Sequence, residues 1–400
     1  MGSILMVLLA SGLLVGLAVL LYEPFSRWYQ QGYGSIAVWK EPEQAPFWSY
    51  LTHWGIFLFI LLSWLWYETL DWMAKTPLSA LNKWKPYAST IAVVVGFVVF
   101  VVIVGVVIIT LQEVTFAWLA LPAAVWAGVL MLRPNQPDAK RLVLFMVGTG
   151  LVITLFVELF VLVGDINRMN TVFKFYFQVW TLFAISSAAA LFWMLPGIGA
   201  LWGRVSSAVW RTVLVLLVGG GLLFPLLGGM DKMRDRMSGL APHTLDGMAY
   251  MQTSFYNESG LDMELEQDYQ AIRWMQENVV GTPVIVEGKT GEYRWGTRFT
   301  IYTGLPGVVG WNWHQIQQRN QMPSAMVTGR IEEISAFYLT VDPQQSKAFL
   351  DKYHVGYIVV GQLERVLYPG PGLDKFEALD GNLWREVFRY KDTVLYEVIQ

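Results

Sequence analysis

Long apolar stretches constrain this chain more than any other feature, because each is long enough to cross a lipid bilayer. The most extreme, residues 88–111, reads ASTIAVVVGFVVFVVIVGVVIITL and contains no charged side chain. A helix of roughly 20 apolar residues crosses the hydrocarbon core of a bilayer. Such stretches lie near residues 3–22, 53–71, 88–111, 114–132, 141–163, 174–195 and 208–228. The sequence therefore predicts a membrane α-helical bundle of about seven spans.

Composition supports an integral membrane protein and excludes several kinds of chemistry. Only 15% of the residues are charged, against about 25% in soluble domains. Cysteine is absent, which excludes disulfides, thiolate metal sites and a cysteine nucleophile. Residues 4–21 lack the basic segment that opens a secretory signal peptide. We therefore interpret them as a first spanning helix rather than as a cleaved signal.

Lysine and arginine near the ends of the apolar stretches predict the orientation in the membrane, because cytoplasmic loops carry the excess of these residues. One set of loops carries eight: Lys75, Lys83, Lys85, Arg133, Lys140, Arg141, Arg204 and Arg211. The other set carries four: Arg27, Lys40, Arg168 and Lys174. The first set is predicted to be cytoplasmic. The N-terminus then lies inside the cell, and the residues after 228 face outward from the plasma membrane.

The charge balance predicts two domains. Residues 1–228 contain 9 acidic and 12 basic side chains, whereas residues 229–400 contain 22 and 16. We predict a transmembrane helical domain over 1–228 and an extracytoplasmic α/β domain over 229–400. Its elements are helices over 264–279 and 343–353, strands over 283–287 and 355–360, and a hairpin over 384–398. Nucleic acid is not predicted as a partner, because no basic stripe is present.

The first outward loop, over residues 22–52, is rich in Trp, Tyr and Phe. Amphipathic rings of this kind favour the headgroup level of a membrane. The loop is predicted to lie along the membrane surface. It either anchors the neighbouring helices or forms a flap over a substrate carried by a lipid.

Charged side chains interrupt the apolar pattern in GDINRMNTVFKFYFQVW, residues 164–180. Charged groups at membrane depth are costly and normally face a cavity or a partner. The segment therefore predicts the rim of a pocket that opens outward and binds a lipid-linked phosphate. The predicted phosphate-binding residues are Arg168, Lys174, Asn170 and Gln178.

Two carboxylates accompany these residues. Glu158 precedes Asp165 by seven positions, so the two would share one helix face if that helix continued. A structural role is the alternative, with an Asp165–Arg168 or a Glu158–Lys174 ion pair that needs no ligand.

A second polar and aromatic cluster, WNWHQIQQR, spans residues 311–319. Its pairing of aromatic rings with polar groups is typical of carbohydrate recognition. The predicted substrate-binding residues are Trp311, Trp313, His314, Gln317, Arg319 and Arg330. Arg330 either reaches the same cleft or pairs with Glu332 or Glu333. A lone histidine without further ligands at metal spacing does not predict a metal site.

Four segments together resemble the YYY-domain family of archaeal and bacterial membrane proteins. They are PFWSYLTHWGIFLF (46–59), GDINRMNTVFKFYFQVW (164–180), LPGVVGWNWHQIQQR (305–319) and KYHVGYIVVGQLERVLYPGPGLDKF (352–376). That family is similar to a distant branch of the GT-C glycosyltransferases, which take sugar from a polyprenyl-phosphate or polyprenyl-diphosphate donor on the outer face. This chain resembles the C-terminal portion of a family member.

The resemblance implies a glycosyltransferase, or the C-terminal half of a split one. Asp165 or Glu158 would act as the catalytic carboxylate, and a divalent metal is compatible with the reaction. GT-C enzymes have about a dozen spans, so the missing helices would come from a second membrane chain. The alternative function is a non-catalytic membrane subunit whose outward domain docks on a larger assembly. A transporter is the third hypothesis, although paired half-repeats are not visible.

Overall fold

A computed structural model describes residues 2–28, 35–40, 44–165, 167–237, 239–319 and 321–399. Contacts divide the chain into two compact units. One comprises Tyr33–Met230, and the other comprises Met1–Gly32 with Asp231–Gln400. The division falls two residues after the predicted domain boundary at 228. The first helix belongs with the C-terminal residues in this division, whereas the sequence placed it in the transmembrane domain.

Long helices dominate the first 230 residues. They are α1 (Gly2–Trp28), α2 (Phe47–Lys75), α3 (Ala88–Leu111), α4 (Ala117–Met131), α5 (Asp138–Leu159), α6 (Met169–Met194), α7 (Ile198–Trp202) and α8 (Arg204–Leu223). Within the described residues, six helices are long and apolar enough to cross a membrane. The predicted span at 114–132 is the shorter helix α4, with 15 residues, or about 22 Å at 1.5 Å per residue.

The core of the helical unit joins α2, α4, α5 and α6. Trp54 and Trp64 of α2 are fully buried in the same cluster as the alanines of α4, and Trp54 packs against Phe183 of α6 at 5.5 Å between ring centres. Gly150 permits the close approach of α5 to α6, because a Cβ atom there would lie 2.4 Å from the Phe183 ring. This packing fixes the two helices whose junction carries the predicted pocket rim.

The apolar stretch at 141–163 is not one continuous helix, so the condition under which Glu158 and Asp165 would share a helix face is not met. Helix α5 ends at Leu159, and the chain then extends into β2 (Phe160–Leu162). Strand β2 pairs antiparallel with β1 (Ile36–Val38). The β-branched and aromatic residues of β2 suit an extended backbone, and Gly164 then turns with a φ of 93°, which glycine adopts readily.

The C-terminal unit is an α/β fold, as predicted. Its strands are β3 (Phe255–Glu258), β4 (Leu261–Glu264), β5 (Val284–Val286), β6 (Val355–Val360), β7 (Trp384–Tyr390) and β8 (Thr393–Val398). Its helices are α9 (Gly229–Arg236), α10 (Leu265–Asn278), α11 (Arg298–Thr303), α12 (Asn312–Gln318), α13 (Ala325–Leu339), α14 (Pro343–Tyr353), α15 (Gln362–Leu367) and α16 (Lys375–Ala378). The predicted elements at 264–279, 283–287, 343–353, 355–360 and 384–398 are all present.

A four-stranded sheet with the order β5-β6-β8-β7 organises this unit. Strands β5 and β6 are parallel, and the other pairs are antiparallel. Strand β6 is buried on both faces because Ile358 and Val360 pack with α13 and α14, while Val359 packs with α10 and α11. Period-two alternation in the strand thus places helices on both sides of the sheet.

Candidate functional site at the α5–α6 junction

A buried ion pair lies where α5 gives way to α6. Glu158, 1% exposed, accepts a hydrogen bond of 2.7 Å from Nη1 of Arg168. The same arginine nitrogen donates to the Val157 carbonyl at 3.0 Å. The backbone N–H of Ala45 donates to Glu158 at 2.9 Å, and the Tyr176 hydroxyl lies 3.4 Å from it. The carboxylate is therefore held by groups from three parts of the helical unit.

The β1–β2 pairing brings part of the aromatic-rich loop between α1 and α2 onto this ion pair. The Trp39 N–H, just beyond β1, donates to the Leu159 carbonyl at 2.8 Å. The guanidinium carbon of Arg168 then lies 5.8 Å from the centre of the Trp39 ring, within the range of a cation–π contact. We call Glu158, Arg168 and Trp39 the junction cluster. Residues 29–34 and 41–43 of the predicted loop lie outside the described residues.

Asp165 stabilises the start of α6. Its carboxylate accepts hydrogen bonds from the Asn170 N–H at 3.1 Å, and from the Thr171 N–H at 2.6 Å and hydroxyl at 2.7 Å. Burial raises the pKa of Asp165, but these hydrogen bonds outweigh it, so the pKa lies below its ordinary value. Asp165 is therefore ionised at neutral pH. Its contacts are typical of a residue that caps a helix N-terminus.

The structure brings four of the six predicted membrane-site residues to the junction: Glu158, Asp165, Arg168 and Asn170. Lys174 and Gln178 lie farther along α6, one turn apart and both exposed. The ion pair at the junction joins Arg168 to Glu158, a combination that differs from both pairs considered from the sequence. Trp39 and the Ala45 N–H were missed, although the aromatic density of the first loop was a signal for Trp39.

The predicted cluster at 311–319 divides into two groups. His314 Nε2 lies 2.8 Å from the Tyr293 hydroxyl, and Trp311 packs against the same tyrosine at 4.9 Å between ring centres. Trp313 is exposed. Arg319 and Arg330 instead line a cavity of about 450 Å³. The described lining of this cavity does not include the other predicted substrate-binding residues, which are Trp311, Trp313, His314 and Gln317.

Arg330 lies in the cleft rather than in an ion pair with its own helix. Its Nη1 donates to the Val308 carbonyl at 3.0 Å, and its guanidinium lies 5.4 Å from the centre of the Tyr353 ring. Glu333 pairs with Lys352 at 2.7 Å. Arg330 also interacts electrostatically with Glu333, so the choice between the two predicted positions stays a prediction.

Two other buried charge clusters connect secondary-structure elements. In the helical unit, the fully buried Glu68 of α2 contacts Lys140 of α5, and its second oxygen lies 3.4 Å from Arg133. This cluster lies at the opposite end of α5 from Glu158. Across the described residues, no group of three or more His, Asp or Glu side chains is arranged to hold a metal ion.

In the C-terminal unit, the buried Arg298 contacts three acids. It donates to Asp268 at 2.6 Å and to both oxygens of Glu364 at 3.1 and 3.0 Å, and Glu287 lies 3.7 Å away. Burial raises the pKa of Glu364, but Arg298 and backbone hydrogen bonds outweigh it, so the pKa is lowered. For Glu287 burial prevails, and its pKa is raised. We call these four residues the Arg298 cluster.

Comparison with known proteins identifies the general class of the chain. Residues 1–183 match a family described as "Uncharacterized membrane protein (DUF2298)". This chain is a membrane protein. The match covers the membrane protein's junction cluster and ends within α6. No curated protein matches it at a significant level.

One solved structure that matches is the C-terminal globular domain of an oligosaccharyltransferase from Archaeoglobus fulgidus. It is 12% identical, and the match covers 33% of this membrane protein and 96% of that chain, with a TM-score of 0.23. A score this low does not establish a common fold.

Proposed function

We propose that this membrane protein is a GT-C-like glycosyltransferase, or the C-terminal half of a split one, that uses a polyprenyl-phosphate-linked sugar at the outer leaflet. The observation that carries the proposal is the junction cluster. It combines a buried carboxylate, an arginine and an aromatic ring at the end of two apolar helices. Such intramembrane charges are functional more often than structural.

The residue types fit the chemistry of an inverting transfer. An acceptor hydroxyl oxygen forms a bond to the anomeric carbon of the sugar, and the bond from that carbon to the phosphate oxygen breaks. The acceptor proton passes to a carboxylate, and the phosphate leaves with the electron pair. We assign the proton to Glu158 and the stabilisation of the leaving phosphate to Arg168, with Lys174 and Asn170 nearby on α6.

The predicted catalytic role of Asp165 stays a prediction. Its oxygens accept hydrogen bonds from the first turn of α6, so we assign it the positioning of Arg168 and Asn170. Glu158 is the better candidate for the base, because it contacts Arg168 directly.

The proposal places the junction cluster and the C-terminal domain outside the cell. The opposite end of α5 carries Lys140 and Arg141, and Arg133 lies nearby in sequence. Because cytoplasmic loops carry an excess of lysine and arginine, we assign that end of α5 to the cytoplasmic side of the membrane. The junction at the other end of α5 then faces the outer leaflet, where the polyprenyl-phosphate donor of the proposed reaction is found.

Native mass spectrometry of the protein, extracted from its own membrane in mild detergent, tests the proposal. We expect a polyprenyl-phosphate sugar to co-purify with the wild type and to be lost in Arg168→Gln. The matched control is Arg204→Gln, an exposed arginine at the start of α8, which should retain the lipid. Absence of any such lipid from the wild type would contradict the proposal.

A non-catalytic membrane subunit is the second candidate. The contacts of Glu158 with Ala45 and Arg168 favour it, because a cluster held together by protein groups also suits a structural tie. The same extraction distinguishes the two functions. A stoichiometric complex with unrelated chains and no lipid-linked sugar would favour the subunit. A second multi-span chain together with the lipid would favour a split transferase.

A further inference from the structure

A cavity in the C-terminal unit has an unusual distribution of charge. It lies beside α12 and α13 and has a volume of about 450 Å³. Its polar lining comes from Arg319, Arg330, Gln315, Ser324 and Thr300. None of the described residues that line it is acidic. We call it the α12–α13 cavity.

The two arginines of this cavity form no ion pair among the described residues, although the surrounding sequence is rich in acids. Residues 229–400 contain 22 acidic and 16 basic side chains. Arg273, Arg294 and Arg298 each form an ion pair. Within the described part of the chain, Arg319 and Arg330 form none. A nearby acid, Glu333, is bound by Lys352 and by the Tyr353 hydroxyl, and it also interacts electrostatically with Arg330. The described lining of the cavity therefore carries two arginines and no acid.

Contacts from neighbouring residues hold both guanidinium groups in place. Arg330 donates through one nitrogen to the Val308 carbonyl at 3.0 Å and lies against the Tyr353 ring. Arg319 donates through Nη1 to Gln315. A guanidinium has five N–H donors, so each planar group retains donors for a ligand. Arginine in this arrangement suits a phosphate, whose oxygens accept two parallel hydrogen bonds.

We propose that the α12–α13 cavity binds a phosphate-bearing ligand through Arg319 and Arg330. The ligand is the phosphate of a lipid headgroup or of a soluble phosphate compound. This inference deepens the proposed function and rests on it for the ligand's role as a substrate. The inference that the ligand carries a phosphate rests on the residues of the cavity alone. The wall formed by Val308, Val309, Ile316 and Val327 would receive the apolar part of the ligand.

Titration calorimetry on the full-length protein in detergent at low ionic strength tests the inference, with inorganic pyrophosphate as the probe. We expect the wild type to bind. A hydrogen bond to a charged group contributes roughly 1.5–3 kcal/mol, so Arg319→Gln and Arg330→Gln should each weaken binding about tenfold or more. The matched control is Arg365→Gln. Arg365 is also exposed and contacts only the Asp392 carbonyl at 3.4 Å among the described residues.

Two results would overturn the inference: no binding of pyrophosphate by the wild type, or equal affinity in the wild type and the Arg319→Gln/Arg330→Gln double variant. A protein that binds pyrophosphate here but carries no lipid-linked sugar would refute the proposed function alone. A protein that carries that lipid but does not bind pyrophosphate would refute this inference alone.

Nanodiscs distinguish the two sources of the phosphate. If phosphatidylglycerol nanodiscs weaken the binding of pyrophosphate relative to phosphatidylcholine nanodiscs, and the double variant removes that difference, the ligand is a lipid headgroup. If both nanodiscs give the same affinity, the ligand is a soluble phosphate compound. Either result supports a phosphate site.

Discussion

Two arginines with little exposure differ in the number of carboxylates around them. Arg298 is 1% exposed and contacts three carboxylates, whereas Arg168 is 11% exposed and its ion pair is with Glu158. The extra negative charge around Arg298 is held by backbone N–H groups. Those of Gly288 and Gly361 donate to Glu364, and that of Phe299 donates to Glu287.

The comparison separates a structural cluster from a candidate site. The Arg298 cluster connects the ends of β5 and β6 with α10 and α11. Its charged groups bind one another and thereby hold these elements together. In the junction cluster, Arg168 pairs with Glu158 and lies against the Trp39 ring. An incoming anion at Arg298 would meet three buried carboxylates, whose like charge disfavours anion binding there.

The largest effect on stability is expected from Arg298→Met. The substitution leaves three carboxylates buried without their cation, and breaking a buried ion pair costs about 3–5 kcal/mol. Chemical unfolding of the full-length protein, followed by fluorescence, measures it. The control is Arg294→Met, because Arg294 is 58% exposed in its pair with Glu258 and should change stability by less than about 1 kcal/mol. Unfolding of the Arg298→Met protein at the wild-type midpoint would remove the contrast between the clusters.

The largest effect on activity is expected from Glu158→Gln. The amide preserves the size of the side chain but cannot take a proton, and loss of a general base lowers turnover by about 10²–10⁴-fold. Transfer from the co-purified lipid-linked sugar measures turnover, and native mass spectrometry measures retention of the lipid. A catalytic Glu158 predicts that turnover falls while the lipid is retained. If lipid and turnover fall together, Glu158 instead positions Arg168.

Acid should distinguish the carboxylates of the Arg298 cluster. The pKa of Glu364 is lowered on folding, so its contribution to stability is present above about pH 4.5 and lost as the pH falls through its folded pKa. The pKa of Glu287 is raised, so its contribution is present below about pH 4.5 and lost as the pH rises through its folded pKa.

Thermal unfolding midpoints between pH 3 and pH 7 test these opposite signs. Glu364→Gln should make stability fall less steeply as the pH decreases below 4.5. Glu287→Gln should instead remove a loss of stability that begins above that pH. The assignment of the two carboxylates is reversed if Glu287→Gln, and not Glu364→Gln, protects the protein against acid.

The smallest effect is expected from Asp165→Ala, which removes the acceptor of the hydrogen bonds at the start of α6. Loss of such a cap costs about 0.5–2 kcal/mol, and the shifted helix start should also weaken retention of the lipid. The control is Asp138→Ala in the first turn of α5, where the carboxylate is 98% exposed. Equal stability of the two variants would show that the Asp165 contacts contribute nothing to the junction.

Local sequence patterns predicted much of the fold. The helices over 265–278 and 343–353 and the hairpin over 384–398 have apolar residues at the period of a single element, so neighbouring residues suffice to indicate them. The apolar spans follow from composition and length. The end of α5 could not be predicted in this way, because Phe160–Leu162 continues the apolar pattern and becomes a strand only by pairing with Ile36–Val38.

The sequence predicted the charged residues of the candidate site, but neither Trp39 nor the pairing between these residues. The stretch at 164–180 indicated Arg168, Asp165 and Asn170, because charges are rare at such positions. The partner of Arg168 depends on where the chain turns after Leu159, and the Ala45 contact joins residues 113 positions apart. Contacts of this kind arise from packing between distant segments, which a single sequence does not encode as a local pattern.

The short β1–β2 ladder holds Trp39 beside the ion pair at the junction. It consists of three residue pairs, extended by the bonds from Trp39 to Leu159 and from Val163 to Ser35. Moving the Trp39 backbone away from Arg168 would break the hydrogen bond from its N–H and open this end of the ladder. Protection of the Trp39 and Val163 amides against hydrogen exchange therefore reports how firmly the ladder holds Trp39 beside Arg168.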